Sequence, residues 1–198
     1  MKKDIEVRNF TVDGIEVRRE GGDHPIELTG HAAVFNKLSL DLGGFRERIK
    51  RGTFKDTLAN DDPRGIWNHN NDIVLGRQGN GTLTLKEDRD GLAFTLYPPD
   101  TQLVRDMVIA PIERGDVTQM SFGFRTIEDS WSTVDSEEIR ELRKVTLIEI
   151  SPVTFPAYPD TDVGKRSLDA HLARRHEGLE ALDLRRRRLD IDEIERKI

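Results

Sequence analysis

Apolar positions alternate along much of this chain. Ile5 and Val7, then Ile15 and Val17, flank Asp13-Gly14, and Ile26 and Leu28 lead into Ala32-Ala33-Val34-Phe35. A period of two predicts strands, and the Asp-Gly pair predicts a hairpin joining the first two. Thr53-Phe-Lys-Asp-Thr-Leu58 opens on a residue suited to an N-cap and reads as a short helix that closes before Pro63. Residues 65–70 read as a strand, and 82–85 with 92–96 as a second hairpin around Asp90-Gly91, stopped by Pro98-Pro99. Between Thr101 and Arg114, Leu103, Val104, Met107, Val108 and Ile112 fall at helical spacing, with Pro111 expected to break or tighten the last turn. Residues 117–126 and 139–153 are the best strand candidates, separated by a polar, acidic turn over 129–138. Regular patterning ends around Pro152, Pro156 and Pro159. From Lys165 onward, Leu and Ile scattered among charges predict a helix or a pair of helices. Many antiparallel strands with two inserted helices imply a β-rich α+β fold, a mainly antiparallel barrel or a closed sandwich. The expected division is a domain over 1–164 and a charged amphipathic helical tail over 165–198.

Composition narrows the chemistry. At 198 residues, with 35% hydrophobic and 34% charged content, one domain with a real core is expected. The chain has no cysteine, which excludes disulfides, thiolate metal sites and a cysteine nucleophile, and suits a reducing cytosol. The opening MKKDIEVRNF carries no apolar run resembling a signal peptide or a membrane span, so a soluble, unsecreted protein without membrane contact is expected. Of the net charge of −6, residues through Gly164 carry −8 and those after it +2. An acidic body is thus joined to a mildly basic tail.

Three residues could carry chemistry together. Among the five histidines, His24 precedes a proline in a loop, His31 lies in an apolar strand, and His171 and His176 belong to the charged tail, so each is read as structural or solvated. His69, within Trp67-Asn-His-Asn-Asn-Asp72, stands at a strand end where polar neighbours can fix its tautomer. In the strand Val117-Thr-Gln-Met-Ser-Phe-Gly-Phe124, Met120, Phe122 and Phe124 share one face, which leaves Ser121 on the other beside Gly123. A missing side chain at Gly123 leaves room for a substrate backbone, though the plainer reading of the strand by itself is a closely packed structural element. In Val145-Thr-Leu-Ile-Glu-Ile-Ser-Pro152, alternation places Glu149 on one face with Val145, Leu147 and Ser151. A carboxylate in so apolar a strand needs a partner, either a structural arginine or a histidine that it orients. Ser121, His69 and Glu149 could therefore form a Ser-His-acid relay, and Asp72, close to His69 in sequence, competes for the third place.

The residues also resemble a known family. Gly30-His-Ala-Ala-Val-Phe-Asn36, Phe45-Arg-Glu-Arg-Ile49, Gly52-Thr-Phe54, Trp67-Asn-His-Asn70 and Val74-Leu-Gly-Arg77 are followed by Gly115-Asp-Val-Thr-Gln-Met-Ser-Phe-Gly-Phe124 and Leu147-Ile-Glu-Ile-Ser-Pro-Val-Thr-Phe-Pro-Ala-Tyr158. In that order they resemble the prohead maturation proteases of tailed phages, over residues 29–163. The family is similar in fold to the herpesvirus assemblins, small β-barrel serine proteases surrounded by helices. The resemblance implies Ser121 as nucleophile, His69 as general base and Glu149 as an acidic third member, with no cofactor and no metal. It also implies a protease inside the immature capsid, in the cytoplasm of a bacterial host. There it would cleave scaffolding protein or the scaffold segment of the major capsid protein, and itself.

The tail leaves other readings open. Leu168, Leu172, Leu179, Leu182 and Leu189 form a short heptad-like stripe interrupted by four arginines at 185–188. Packing on the domain or a neighbour, including a second copy in a homo-oligomer, is the plain reading, and a scaffold-contact segment removed by self-cleavage is the functional one. Nucleic acid is disfavoured as a partner because acidic residues surround those arginines. A non-catalytic, β-rich capsid-assembly or scaffold-binding module is the main rival to the protease. Metal-dependent hydrolysis through His69 lacks a second histidine at ligand spacing.

Overall fold

The computed structural model describes residues 5–10, 14–19, 26–155 and 161–195. His24, Asp13 and the prolines at 156 and 159 lie outside them. In chain order the elements are β1 (Glu6–Phe10), β2 (Glu16–Arg18), β3 (Glu27–Val34), β4 (Phe45–Ile49), α1 (Lys55–Asn60), β5 (Arg64–Trp67), β6 (Asn70–Arg77), β7 (Leu83–Glu87), β8 (Gly91–Leu96), α2 (Gln102–Val104), a π-helical turn (Arg105–Ile109), α3 (Ala110–Glu113), β9 (Gln119–Val134), β10 (Glu137–Val153) and α4 (Thr161–Glu195). A 3₁₀ turn, Gln78–Asn80, separates β6 from β7.

The fold is mixed α+β and mostly strand. One sheet has the order β1-β9-β10-β5-β6, with β4 also on β10, and curls as a half-barrel; the other has the order β2-β3-β8-β7. Of the eight strand pairings among the described residues, six are antiparallel, while β4 and β5 run parallel to β10. Among the described residues the strands form two sheets, the larger one mixed rather than wholly antiparallel. The first expected hairpin does not form: β1 pairs with β9 and β2 with β3, so the two strands belong to different sheets. The second hairpin, β7 with β8, stands as read.

The core explains these pairings. Met120, Phe122 and Phe124 of β9 are fully buried, as alternation required, with Phe122 stacked on Phe124 at 5.0 Å and edge-on to Phe54 at 5.6 Å. The acidic stretch 129–138 is mostly strand. Its turn is only Asp135-Ser136, both at positive φ (49° and 67°), the geometry that matches the twist of a tight hairpin. Thr53 is no helix cap. Its hydroxyl, fully buried, donates to the carbonyls of Lys50 and Leu142, and α1 begins after Phe54. In the helical stretch after Thr101, Val104, Val108 and Ile112 enter the core while Leu103 and Met107 face outward. Pro111 neither breaks nor tightens that stretch; the turn before it widens to π geometry, which suits a residue with no N–H to donate.

An ion network closes one end of the large sheet. Arg8 bonds Glu47 at 2.8 Å and Glu6 at 2.8 Å, while Arg140 bonds Glu6 at 2.6 Å, Glu47 at 3.0 Å and Asp129 at 2.7 Å. Both guanidiniums are buried, which is tolerable because each charge has several partners. Burial pushes the Glu6 carboxyl up, but hydrogen bonding and charge from Arg140, with the charge of Arg8, outweigh it and hold Glu6 below its ordinary value. The tail is one helix, α4, whose early part meets the β9–β10 hairpin. His171 stacks on Trp131 at 4.6 Å, and Arg175 pairs with Glu138 at 2.9 Å. Leu172, Leu179 and Leu182 of the stripe are exposed.

Candidate active site

Four strands bring the candidate residues together. β5 and β6 are joined by the two-residue turn Asn68-His69, with Trp67 paired to Asn70 and positive φ at both turn residues (49° and 57°). A non-glycine residue pays for that conformation unless the surroundings hold it. Asn68 supplies the hold. Its N–H donates to the Pro152 carbonyl at 3.1 Å, its Nδ2 donates to Thr154 Oγ1 at 2.9 Å, and its Oδ1 accepts the Thr154 N–H at 2.8 Å. The turn is thereby fastened to the end of β10, and His69 projects over that strand.

Glu149 reaches His69 because β10 is bulged. Leu147 pairs with Phe124 and Ile150 with Phe122, both on the core face, whereas Glu149 pairs with Gly123 and Ser151 with Ser121 on the opposite face. Ile148 is the extra residue, and it reverses the alternation between Leu147 and Glu149. The expectation that Glu149 shares a face with Val145 and Leu147 is corrected: those two are core, and Glu149 faces the site. The bulge also frees the Leu147 N–H from the ladder, and Thr57 Oγ1 of α1 accepts it at 2.9 Å.

On that face His69 Nδ1 lies 2.7 Å from Glu149 Oε1. A carboxylate only accepts, so in the neutral imidazole the proton sits on Nδ1 in this bond and Nε2 carries the free lone pair. Nε2 is buried and has no hydrogen-bond partner among the described residues. The other carboxylate oxygen of Glu149 accepts Ser151 Oγ–H at 2.7 Å, and Ser151 Oγ in turn accepts the His69 backbone N–H at 3.3 Å. Ser151, fully buried, therefore holds both the acid and the turn that bears the imidazole. Asp72 is exposed; its N–H bonds Asn70 Oδ1, and no hydrogen bond joins its carboxylate to His69 among the described residues.

Ser121 is the neighbour of this group, not yet bonded to it. Its Cα partner on β10 is Ser151, and on β1 it is Asn9. Its hydroxyl donates to the Arg8 carbonyl at 3.0 Å, and the residue has no exposed surface. Of the two readings of Gly123, close packing of another group is the one found. A Cβ there would lie 2.6 Å from Glu149 Oε1, so the vacant side is filled by the carboxylate rather than kept for a substrate. Sequence reasoning passed over Asn68 and Ser151. The signal for Asn68 was an Asn-His pair between two strands, a turn composition that tolerates positive φ; Ser151 lies two residues beyond Glu149, a spacing that keeps both on one face of a strand.

Of the other histidines, His31 Nε2 meets Asp88 Oδ2 at 2.8 Å, and His171 lies on Trp131, both structural contacts. No helix is long and apolar enough to cross a membrane among the described residues.

Residues 13–174 match the sequence model of a family described as caudovirus prohead serine protease. No curated protein and no solved structure matches the chain significantly.

Proposed function

Since the chain belongs to the caudovirus prohead serine protease family it is a serine peptidase, and we propose that Ser121 is its nucleophile, His69 its general base and Glu149 the acid that orients the imidazole. The observation that carries this reading is the 2.7 Å contact between His69 Nδ1 and Glu149 Oε1, which leaves a buried Nε2 without a partner among the described residues, next to β10, the strand that pairs Glu149 with Gly123 and Ser151 with Ser121. In the reaction, Ser121 Oγ bonds to the scissile carbonyl carbon as its proton passes to Nε2. The carbonyl becomes an oxyanion, and the imidazolium is stabilised by Glu149. Collapse expels the amine, which takes the proton from Nε2. Water then attacks the acyl-enzyme by the same route and regenerates the Ser121 hydroxyl. For the first step, the Ser121 hydroxyl has to turn from the Arg8 carbonyl toward His69.

The family is one of phage capsid maturation, which associates the chain with capsid components of the immature particle in the host. We further propose that the substrates are the scaffolding protein or the scaffold segment of the major capsid protein, and the chain itself. The same reading takes 1–164 as the catalytic unit and 165–198 as an appended helical tail. The order base, nucleophile, acid along the chain supports kinship with the herpesvirus assemblins. The test is co-expression with the capsid and scaffolding proteins of the phage. Ser121→Ala should abolish their cleavage while the variant keeps the wild-type melting temperature, and cleavage at an undiminished rate would remove Ser121 from the role.

A further inference from the structure

Ser121 lies between two things that a serine nucleophile needs on opposite sides. From the β10 side come Glu149 and the imidazole it holds. From the other side comes a peptide carbonyl, that of Arg8 in β1, 3.0 Å from Oγ. β1 is the outermost strand of the sheet and pairs antiparallel with β9 through five consecutive residues, from Glu6 with Phe124 to Phe10 with Met120. A scissile carbonyl attacked by Ser121 has to lie where β1 now runs, since a carbon within about 3.5 Å of Oγ and away from the base falls on that edge. With β1 in place Ser121 is wholly buried, so no substrate reaches it.

We propose that the edge of β9 covered by β1 is the docking place of the substrate main chain, and that β1 stands there as an internal occupant which withdraws before catalysis. This rests on Ser121 being the nucleophile. The ligand is an extended peptide segment that adds to β9 as an antiparallel strand, so the main-chain hydrogen bonds lost with β1 are remade with the substrate. Pairing of this kind is indifferent to side chains along most of its length, and it positions one carbonyl over residue 121. β1 itself is bound unproductively. The Ser121 hydroxyl donates to the Arg8 carbonyl oxygen, whereas attack requires its lone pair on the carbonyl carbon and its proton on His69. What keeps β1 seated is on its other face, where Arg8 and Glu6 join Glu47 and Arg140 and the Arg8 guanidinium lies 5.6 Å from the Phe124 ring centre.

A serine-directed fluorophosphonate tests this without knowledge of the cleavage sequence. Its Oγ–P bond forms as fluoride leaves and the hydroxyl proton passes to the base. Val7→Pro loosens β1 and touches none of the catalytic side chains. Adduct formation at Ser121 should be roughly tenfold faster in this variant, from the strain that a proline ring places on the strand. In the wild-type chain, the amides of residues 6–10 should lose protection from hydrogen exchange once the adduct has formed. A synthetic Ile-Glu-Val-Arg-Asn-Phe peptide should slow labelling of the Val7→Pro protein. Equal labelling rates, with β1 amides still protected in the adduct, would overturn the docking place and leave Ser121 as nucleophile. No adduct at Ser121 in either folded protein would overturn the nucleophile itself, and the proposal with it. If Val7→Pro does not fold, the exchange measurement on the wild-type chain decides alone.

Discussion

Adding one methyl group at Gly123 should disable the site without replacing any catalytic residue. The Cβ of Gly123→Ala would lie 2.6 Å from Glu149 Oε1 and 3.3 Å from Cδ and Cγ. Ordinary contact begins at 3.4 Å, so the oxygen has to retreat by about 0.8 Å. It is not free to do so, because Oε1 holds His69 Nδ1 at 2.7 Å and Oε2 holds Ser151 Oγ at 2.7 Å. A retreat along the first bond carries it out of hydrogen-bonding range, and the imidazole loses its orientation. Misplacement of about 1 Å costs on the order of 100-fold in rate, so adduct formation with the fluorophosphonate should slow roughly 10- to 100-fold. Overpacking should lower stability by about 1–3 kcal/mol, seen by urea denaturation. The decisive control is the same substitution in a Glu149→Ala background. With the carboxylate gone the added methyl meets nothing there, and Gly123→Ala should slow labelling no further. An equal slowing in both backgrounds, or no slowing in the first, would refute the claim that Gly123 acts through Glu149.

Ser151→Ala removes the hydrogen bond to Glu149 Oε2 and the acceptor of the His69 N–H. A hydrogen bond to a charged group contributes about 1.5–3 kcal/mol, so kcat for peptide cleavage should fall at least roughly tenfold with KM little changed. Arg140→Met leaves Glu6 and Glu47 buried with one cation fewer, and chemical denaturation should show a loss of about 3–5 kcal/mol. Glu6 has a carboxyl held below its ordinary 4.5, so its stabilisation is complete above the unfolded value and is lost as pH falls through the folded one. The stability advantage of the wild-type chain over Glu6→Gln should accordingly shrink as pH drops below about 4.5, measured as the difference in denaturation midpoint.

The two faces of β9 were legible because its side chains alternate without interruption from Met120 to Phe124, so Ser121 had to oppose the aromatic face. His69 stood out because its neighbours are polar and its rivals lie in loops, an apolar strand or the tail. Glu149 was legible as a buried acid, but not its direction. A β-bulge is one extra residue that no composition announces, and at Ile148 it decides whether Glu149 faces the core or the histidine. The partner of β1 was hidden for a different reason. Asp13-Gly14 is a good local hairpin signal, yet Glu6 and Arg8 gain Glu47, Thr126 and Arg140, residues 39 to 134 positions away, by joining β9 instead. Local turn propensity is a weak preference that tertiary context overrides, and the long-range pairing wins. The burial of Ser121 follows from that pairing and could not be seen without it.

Two buried serines lie side by side on β9 and β10, and the account stands on which of them reacts. Ser121 faces β1, while Ser151 is already bonded to Glu149. Peptide mapping by mass spectrometry of the fluorophosphonate adduct, in the wild-type and Val7→Pro chains, separates them directly. The adduct should be on Ser121, its formation slowed by orders of magnitude in His69→Ala and Glu149→Ala. An adduct on Ser151, or one on Ser121 that forms as fast without His69, would contradict the assignment of Ser121, His69 and Glu149 as a catalytic unit.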